Sequence, residues 1–360
     1  MIHDVAVLGG GIAGATAALR LAQAGLQPLW IAPPQGDGFK PGEHLSAAAL
    51  PLLKALGSDA ILQSQVHRHA HSTYSAWGSH LLIERNAIVQ LEGPPTVLDR
   101  SAFEDALTAL AIQTGARRTY ETVRDVRIHE DTWHIGTNSD PVTARFVFDA
   151  TGRTAVVASK HATRFQADKL GCQYALFKTT ETTAPRPVTL IEAEERGWWY
   201  MSLLANGQVV LNFYTDTDLS SFDNAELESH AHRTTAIATY LTEHGYRMLS
   251  RPARLTTNST WIAPAIGPGW VAIGDAAAAF DPLSSHGMTT ALWSAIAATD
   301  AFIARDRQKM QEYADSVAKG VRDYLSARSA VYARETRWPN SPFWARRHAT
   351  AHTPAAQPAG

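Results

Sequence analysis

The chain has 360 residues, of which 45% are hydrophobic and 18% charged, and its formal net charge is -2. That balance belongs to ordinary globular proteins and gives no global field to recruit nucleic acid or an anionic membrane. The single cysteine, Cys172, cannot close an internal disulfide and sits in no Cys-x-x-Cys metal pattern, in keeping with a reducing, cytoplasmic setting. No basic stretch precedes the first apolar run, so it does not read as a secretory signal. No window holds about 18 uninterrupted apolar residues, which argues against a membrane span.

Residues 4–8 read as a strand that runs directly into Gly9-Gly10-Gly11-Ile12-Ala13-Gly14, followed by a helical pattern to about residue 25. The spacing is Gly-x-Gly-x-x-Gly. Gly9 allows the tight turn, Gly11 leaves the backbone open to a pyrophosphate, and Gly14 with Ala18 lets the helix pack close to the strand. The next strand, Gln27 to Ala32, ends in Pro33-Pro34 without the acid that normally holds a ribose there. Residues 47–56 read as a helix stopped by Gly57, and residues 66–91 as strands with turns. Asp99-Arg100-Ser101 opens a helix to about Thr114, with Ser101 as cap and Glu104 as its partner. A buried strand ends in Asp149-Ala150-Thr151-Gly152-Arg153. Residues 172–214 alternate like an antiparallel sheet, and residues 224–246 read as helical. A further strand leads to Gly274-Asp275. Two helices follow, at about 287–304 and through Met310, Tyr313, Val317, Val321 and Tyr324.

Four pieces in this order, Gly9–Gly14, Asp99-Arg100, Asp149–Arg153 and Gly274-Asp275, resemble the FAD-dependent monooxygenase and halogenase superfamily with its aromatic-hydroxylase-type fold. The resemblance implies an α/β fold: a three-layer Rossmann-like FAD-binding domain, an inserted and mostly antiparallel substrate-binding sheet, and C-terminal helices. The expected division assigns 1–65, 96–165 and 256–310 to the FAD domain, and 66–95 with 166–255 to the substrate sheet and helix. Residues 311–349 form a helical clasp, and 350–360 a disordered tail. The resemblance also implies that Gly9, Gly11, Ile12, Ala13, Gly14, Arg100, Gly152, Gly274 and Asp275 bind FAD. Pro282, Gly287 and Met288 would lie against the isoalloxazine ring in the loop Asp281–Met288. Gly197-Trp198-Trp199-Tyr200, Tyr332-x-x-Glu335-x-Arg337-Trp338 and Phe343-Trp344 look like the flavoproteins that mature tryptophylquinone cofactors inside partner amine oxidases or dehydrogenases. Halogenases of the superfamily carry a catalytic lysine after the segment matching Val66–His80. This chain has no lysine between Lys54 and Lys160, and no Trp-x-Trp-x-Ile-Pro.

The implied reaction is hydroxylation of an aromatic ring through a C4a-hydroperoxyflavin, with O2 as co-substrate and NADH or NADPH as transient reductant. The target is a tryptophan of a partner protein. Glu43, His44, Ser285 and His286 are the candidates to face the reaction, since imidazole accepts protons near neutral pH. Trp198 and Tyr200 share one strand face and, with Trp77, are the candidates to wall the substrate pocket. His67, His69 and His71 alternate, but no carboxylate or cysteine nearby completes a metal site, so no metal is expected. Trp338, Phe343, Trp344, Arg346 and Arg347 either grip a partner or clasp the flavin domain. The alternatives are a flavin-dependent reductase of a small hydrophobic substrate and a non-catalytic flavin-binding assembly partner. The missing ribose acid leads us to expect that the protein purifies partly free of FAD.

Overall fold

Val5, Ala6, Val7 and Leu8 are buried, and they form the middle of a parallel sheet. In the computed structural model, which describes residues 2–36, 38–70, 72–86, 94–181, 188–219, 226–350 and 357–358, strand Ile2–Leu8 lies between strands Val142–Asp149 and Leu29–Ile31. Trp270–Ala272 and Arg117–Thr119 extend the two sides, also parallel. Helix Ile12–Gln23 packs against helices Arg100–Thr114 and Gly287–Ile303. Its buried positions include Ala13, Gly14, Ala17 and Ala18, which are small enough for close approach.

Helix Arg100–Thr114 starts two residues before the place that a Ser101 cap would give. Asp99, not Ser101, is its cap: the carboxylate accepts from the Ala102 N–H at 3.0 Å. Either residue type can cap, but a charged acceptor gains more at the positive helix end. Glu104 does not reach back to the cap. It is buried and takes Lys40 at 2.7 Å and Arg100 at 2.6 Å.

The second sheet orders strands Leu170–Lys178, Val209–Asp216, Gly197–Leu203 and Thr189–Glu194 antiparallel, with Ser72–Ala76 added parallel to the last. Alternation divides its faces. Trp199, Met201, Leu203, Leu211 and Phe213 form a core with helices Leu227–Ala231 and Ala236–Glu243. Trp198, Tyr200, Asn212 and Tyr214 look the other way, into a cleft against the first sheet. The helix expected over 224–246 is two. The second begins where Glu192 accepts from the backbone N–H groups of Thr235, Ala236 and Ile237 at 2.6–3.0 Å, and this anchor fixes the break.

Helices Arg307–Tyr332 and Pro342–Thr350 close the chain over this sheet. Phe343 and Trp344 are fully buried. Arg347 pairs with Asp216 at 2.8 Å, both 3% exposed, while Arg346 bridges Asp216 at 2.9 Å and Asp218 at 2.7 Å. Phe343, Trp344 and Arg347 of the late aromatic and basic cluster therefore face inward, while Arg346 stays exposed and Trp338 half-buried. Beyond Thr350 only Gln357–Pro358 are described, paired with Phe165 and Gln166. The rest of the tail, residues 87–91 and His71 lie outside the described residues. Among those described, no helix is long and apolar enough to cross a membrane.

Removing one side of a buried ion pair leaves an uncompensated charge. Asp216→Ala is expected to lower unfolding free energy by about 3–5 kcal/mol. Asp323→Ala, on the exposed pair with Lys319, should leave the urea midpoint almost unmoved. Similar midpoints for the two variants would contradict this account of the clasp.

Candidate active site

The glycine loop is built by close approach. Gly9 has φ +116, and a Cβ there would lie 2.1 Å from the Ala150 carbonyl oxygen; one at Gly14 would lie 2.0 Å from the Gly9 oxygen. These two glycines set the turn and do not line the cleft. Gly11, Ile12 and Ala13 do, at the start of helix Ile12–Gln23. A Cβ on Gly11 would meet nothing within 4 Å. The uncapped N–H groups of that helix thus open onto free space, an arrangement suited to an anion.

Arg100, Gly152 and Asp275 line the same cleft of about 320 Å³, with Gly274 set behind them at the second cavity. Arg100 gives Nη1 to the Pro41 carbonyl at 2.9 Å and Nη2 to Glu104. Its Nε is buried with no partner among the described residues. The Asp275 carboxylate is 42% exposed and 3.8 Å from Arg153 Nε. Burial raises its pKa, and Arg153 and Arg100 oppose that rise. At the end of strand Leu29–Ile31, where a ribose acid was missing, stands a guanidinium. Arg118 lies 4.6 Å from the Trp30 ring centre and 4.8 Å from that of Tyr120, and its Nη2 is 3.5 Å from where a Gly10 Cβ would sit. Its Nε also has no partner among the described residues.

Glu43, His44, Trp198, Tyr200, Asn212 and Tyr214 form the opposite wall. Glu43 is buried; it accepts from the Tyr200 hydroxyl at 2.7 Å and from the Gly42 N–H at 3.1 Å. Burial first, and then the Glu43 charge, push the Tyr200 phenol well above its usual range. His44 Nε2 lies 3.1 Å from Thr189 Oγ1 and 3.4 Å from Ser202 Oγ. Burial lowers its pKa, against the opposing pull of Glu43.

The loop Asp281–Met288 splits the expected residues. Pro282, Ser285, Gly287 and Met288 line the cleft, with Ser285 in the left-handed region at φ +52. His286 does not. It opens helix Gly287–Ile303 and lines a second cavity of about 560 Å³, between that helix and Arg307–Tyr332. The left-handed residue before it turns the chain, so neighbours in sequence face different cavities. Trp77 is also absent from the cleft: it packs behind Trp198 and donates its indole N–H to the Val331 carbonyl at 2.9 Å. Sequence reasoning missed Asn212 and Tyr214, although their alternation with Leu211 and Phe213 signalled a shared face. It also missed Asp281, which is 1% exposed. His67 Nδ1 accepts from the Asp99 N–H at 3.1 Å. Among the described residues, no group of three His, Cys, Asp or Glu is placed to hold a metal.

Comparison with known proteins gives this geometry a family. The family model described as tryptophan halogenase matches residues 96–358. The putative FAD-dependent oxidoreductase LodB of Marinomonas mediterranea is 26% identical over 96% of this chain and 97% of its own length. The myxobacterial chondrochloren halogenase CndH superposes with a TM-score of 0.85 at 20% identity, over 96% of this chain and 86% of that one. The peptidyl tryptophan dihydroxylase QhpG, essential for tryptophylquinone cofactor biogenesis, superposes at 0.76 and 22% identity, over 96% and 79%. The chain belongs to the tryptophan halogenase family and is a flavin-dependent, halogenase-like oxidoreductase.

Proposed function

We propose that the chain is an FAD-dependent monooxygenase that hydroxylates an aromatic ring, and that the ring is a tryptophan side chain carried by a partner protein. One observation carries the choice of hydroxylation over halogenation: no lysine is among the described residues lining the cleft. An ammonium group is what would hold a reactive halogen species. Support for a protein-borne target comes from the likeness to QhpG, a peptidyl tryptophan dihydroxylase.

The residues present fit FAD. The space beside Gly11 and the unpartnered Arg100 Nε suit its pyrophosphate. Asp275 is an acceptor turned into the cleft, suited to the hydroxyls of the ribityl chain. Arg118 replaces the usual carboxylate at the adenosine end and offers its Nε as a donor. When bound and reduced, FAD supplies the activation of dioxygen, with NADH or NADPH as the electron source.

The chain's own residues then have three tasks. The aromatic wall of Trp198 and Tyr214 orients a flat substrate and excludes water. Tyr200 stays protonated and ties Glu43 in place. His44, whose pKa burial lowers, accepts the proton that the hydroxylated ring must lose.

The direct test is mass spectrometry of a tryptophan-bearing partner protein after incubation with the FAD-loaded enzyme, NADH, labelled dioxygen and bromide. Labelled oxygen on the indole is expected. Bromine on the indole, or turnover without label, overturns the reading.

His44→Gln is expected to cut the rate by about 10²-fold, the worth of a general base, with FAD affinity unchanged. Because burial lowers the His44 pKa, the neutral form persists at neutral pH. The wild-type rate should therefore fall only as pH drops below about 6.5, and the variant should lose that limb. A rate that falls as pH rises through neutrality would contradict the role.

Arg118→Ala should weaken FAD binding by about 10-fold, the worth of one charge-assisted hydrogen bond at roughly 1.5 kcal/mol. FMN, which lacks the adenosine, should bind both forms equally. Equal loss for FAD and FMN in fluorescence titrations would contradict the placement.

A further inference from the structure

Trp198 belongs to the cleft wall, but its ring does not end there. It stacks on Tyr214 with centroids 4.0 Å apart and a 20° tilt. Behind it stands Trp77, 6.2 Å from Trp198 and edge-on. Trp77 meets the fully buried Trp344 at 5.3 Å, and Trp344 lies 6.4 Å from Trp338. Trp77 and Trp338 are half-buried and reach the surface. A continuous file of electron-rich rings therefore joins the cleft to solvent.

Packing alone accounts for rings in contact. It does not account for the electrostatics along the file. The Trp198 indole N–H donates to the Tyr332 hydroxyl at 3.1 Å, and that hydroxyl donates to the buried Asp281 carboxylate at 2.7 Å. A positive charge on Trp198 is thus met by an oxygen that leans on a negative charge. Guanidinium groups stand elsewhere. Arg328 and Arg347 each lie 5.0 Å from the Tyr332 ring, and Arg337 lies 4.3 Å from the ring of Trp338. A fixed cation over a ring makes removal of an electron from that ring costlier. Tyr332 and Trp338 are guarded in this way.

We infer that Trp198 and Trp77 form a one-electron path from the cleft to the surface, which drains an oxidising equivalent formed beside the flavin. The inference rests on the flavin reading of the cleft. Single electrons move along the path; the reduced oxygen takes a proton from water, and the S–S bond formed between two spent thiols carries the oxidising equivalents away. Trp198 gives one electron to an oxygen-centred radical in the cleft, reducing it, and becomes an indole radical cation. Trp77 gives one electron to Trp198 and carries the hole. A soluble thiolate gives one electron to Trp77, and two of the resulting thiyl radicals join as a disulfide. The indole protons stay on their nitrogens, hydrogen-bonded to Tyr332 Oη and the Val331 carbonyl. Trp338 lies one ring further on, beyond Trp344, and the half-exposed Trp77 meets the thiolate first.

The test uses FAD-loaded protein without dioxygen, with photoexcited oxidised flavin as the oxidant. A light pulse is followed by transient absorption and electron paramagnetic resonance. A long-lived indole radical is expected in the wild type, and ascorbate should shorten its life because the hole sits on a half-exposed ring. Trp77→Phe should lose the long-lived radical while flavin fluorescence stays quenched. Trp198→Phe should lose both. Trp338→Phe, and Trp293→Phe outside the file, should change neither. A long-lived radical that survives Trp77→Phe, or one indifferent to ascorbate in the wild type, overturns the path. The ascorbate arm needs no variant, so a misfolded Trp77→Phe protein leaves the question answerable. A chain that binds no FAD in titration instead overturns the flavin reading, and the path with it.

Discussion

The carboxylate of Asp281 is the constraint on which the cleft depends. It is almost fully buried and accepts from the Tyr332 hydroxyl at 2.7 Å, from Arg328 Nε at 3.3 Å and from the Leu283 N–H at 2.8 Å. Burial alone would lower the Arg328 pKa, yet Asp168 and Asp281 outweigh it and hold that pKa up. These bonds tie the loop Asp281–Met288 to helix Arg307–Tyr332. They fix where helix Gly287–Ile303 begins, and so which backbone N–H groups face the flavin side. Through Tyr332 the same network reaches Trp198 on the opposite wall. A buried charge of this kind tolerates no missing partner. The two walls of the cleft are therefore set relative to each other by one buried acid at its edge.

Much of this architecture was legible in the chain. Gly9 and Gly14 were readable because their roles are conformational and local: no larger residue fits against Ala150 or the Gly9 carbonyl. The alternation Trp198, Trp199, Tyr200 was readable because strand geometry sends neighbours to opposite faces. The start of the first sheet was readable because strand, glycine loop and helix follow one another without interruption.

Other features depend on contacts that no local pattern encodes. His286 faces the second cavity because left-handed Ser285 precedes it, and serine gives no strong signal for that backbone. Trp77 was placed at the substrate because it is an indole near the right strand, whereas its neighbours Trp198 and Trp344 claim it for the cluster behind. The missing acid after Ile31 was visible. The guanidinium we propose in its place was not, because Arg118 comes from a distant strand that pairs with Leu29–Ile31. The split near residues 232–235 follows from Glu192, on the sheet. Each departure arises where a tertiary contact decides between locally equivalent choices.

The central proposal is that the space between the Gly11–Ala13 helix start, the Ser285–Met288 loop and the Trp198–Tyr200 wall is a flavin site. The most direct measurement is the crystal structure of the chain grown with FAD. The pyrophosphate is expected beside Gly11, the ribityl hydroxyls at Asp275 and the isoalloxazine against Pro282–Met288. An isoalloxazine seated instead in the second cavity, beside His286 and Trp293, would contradict it.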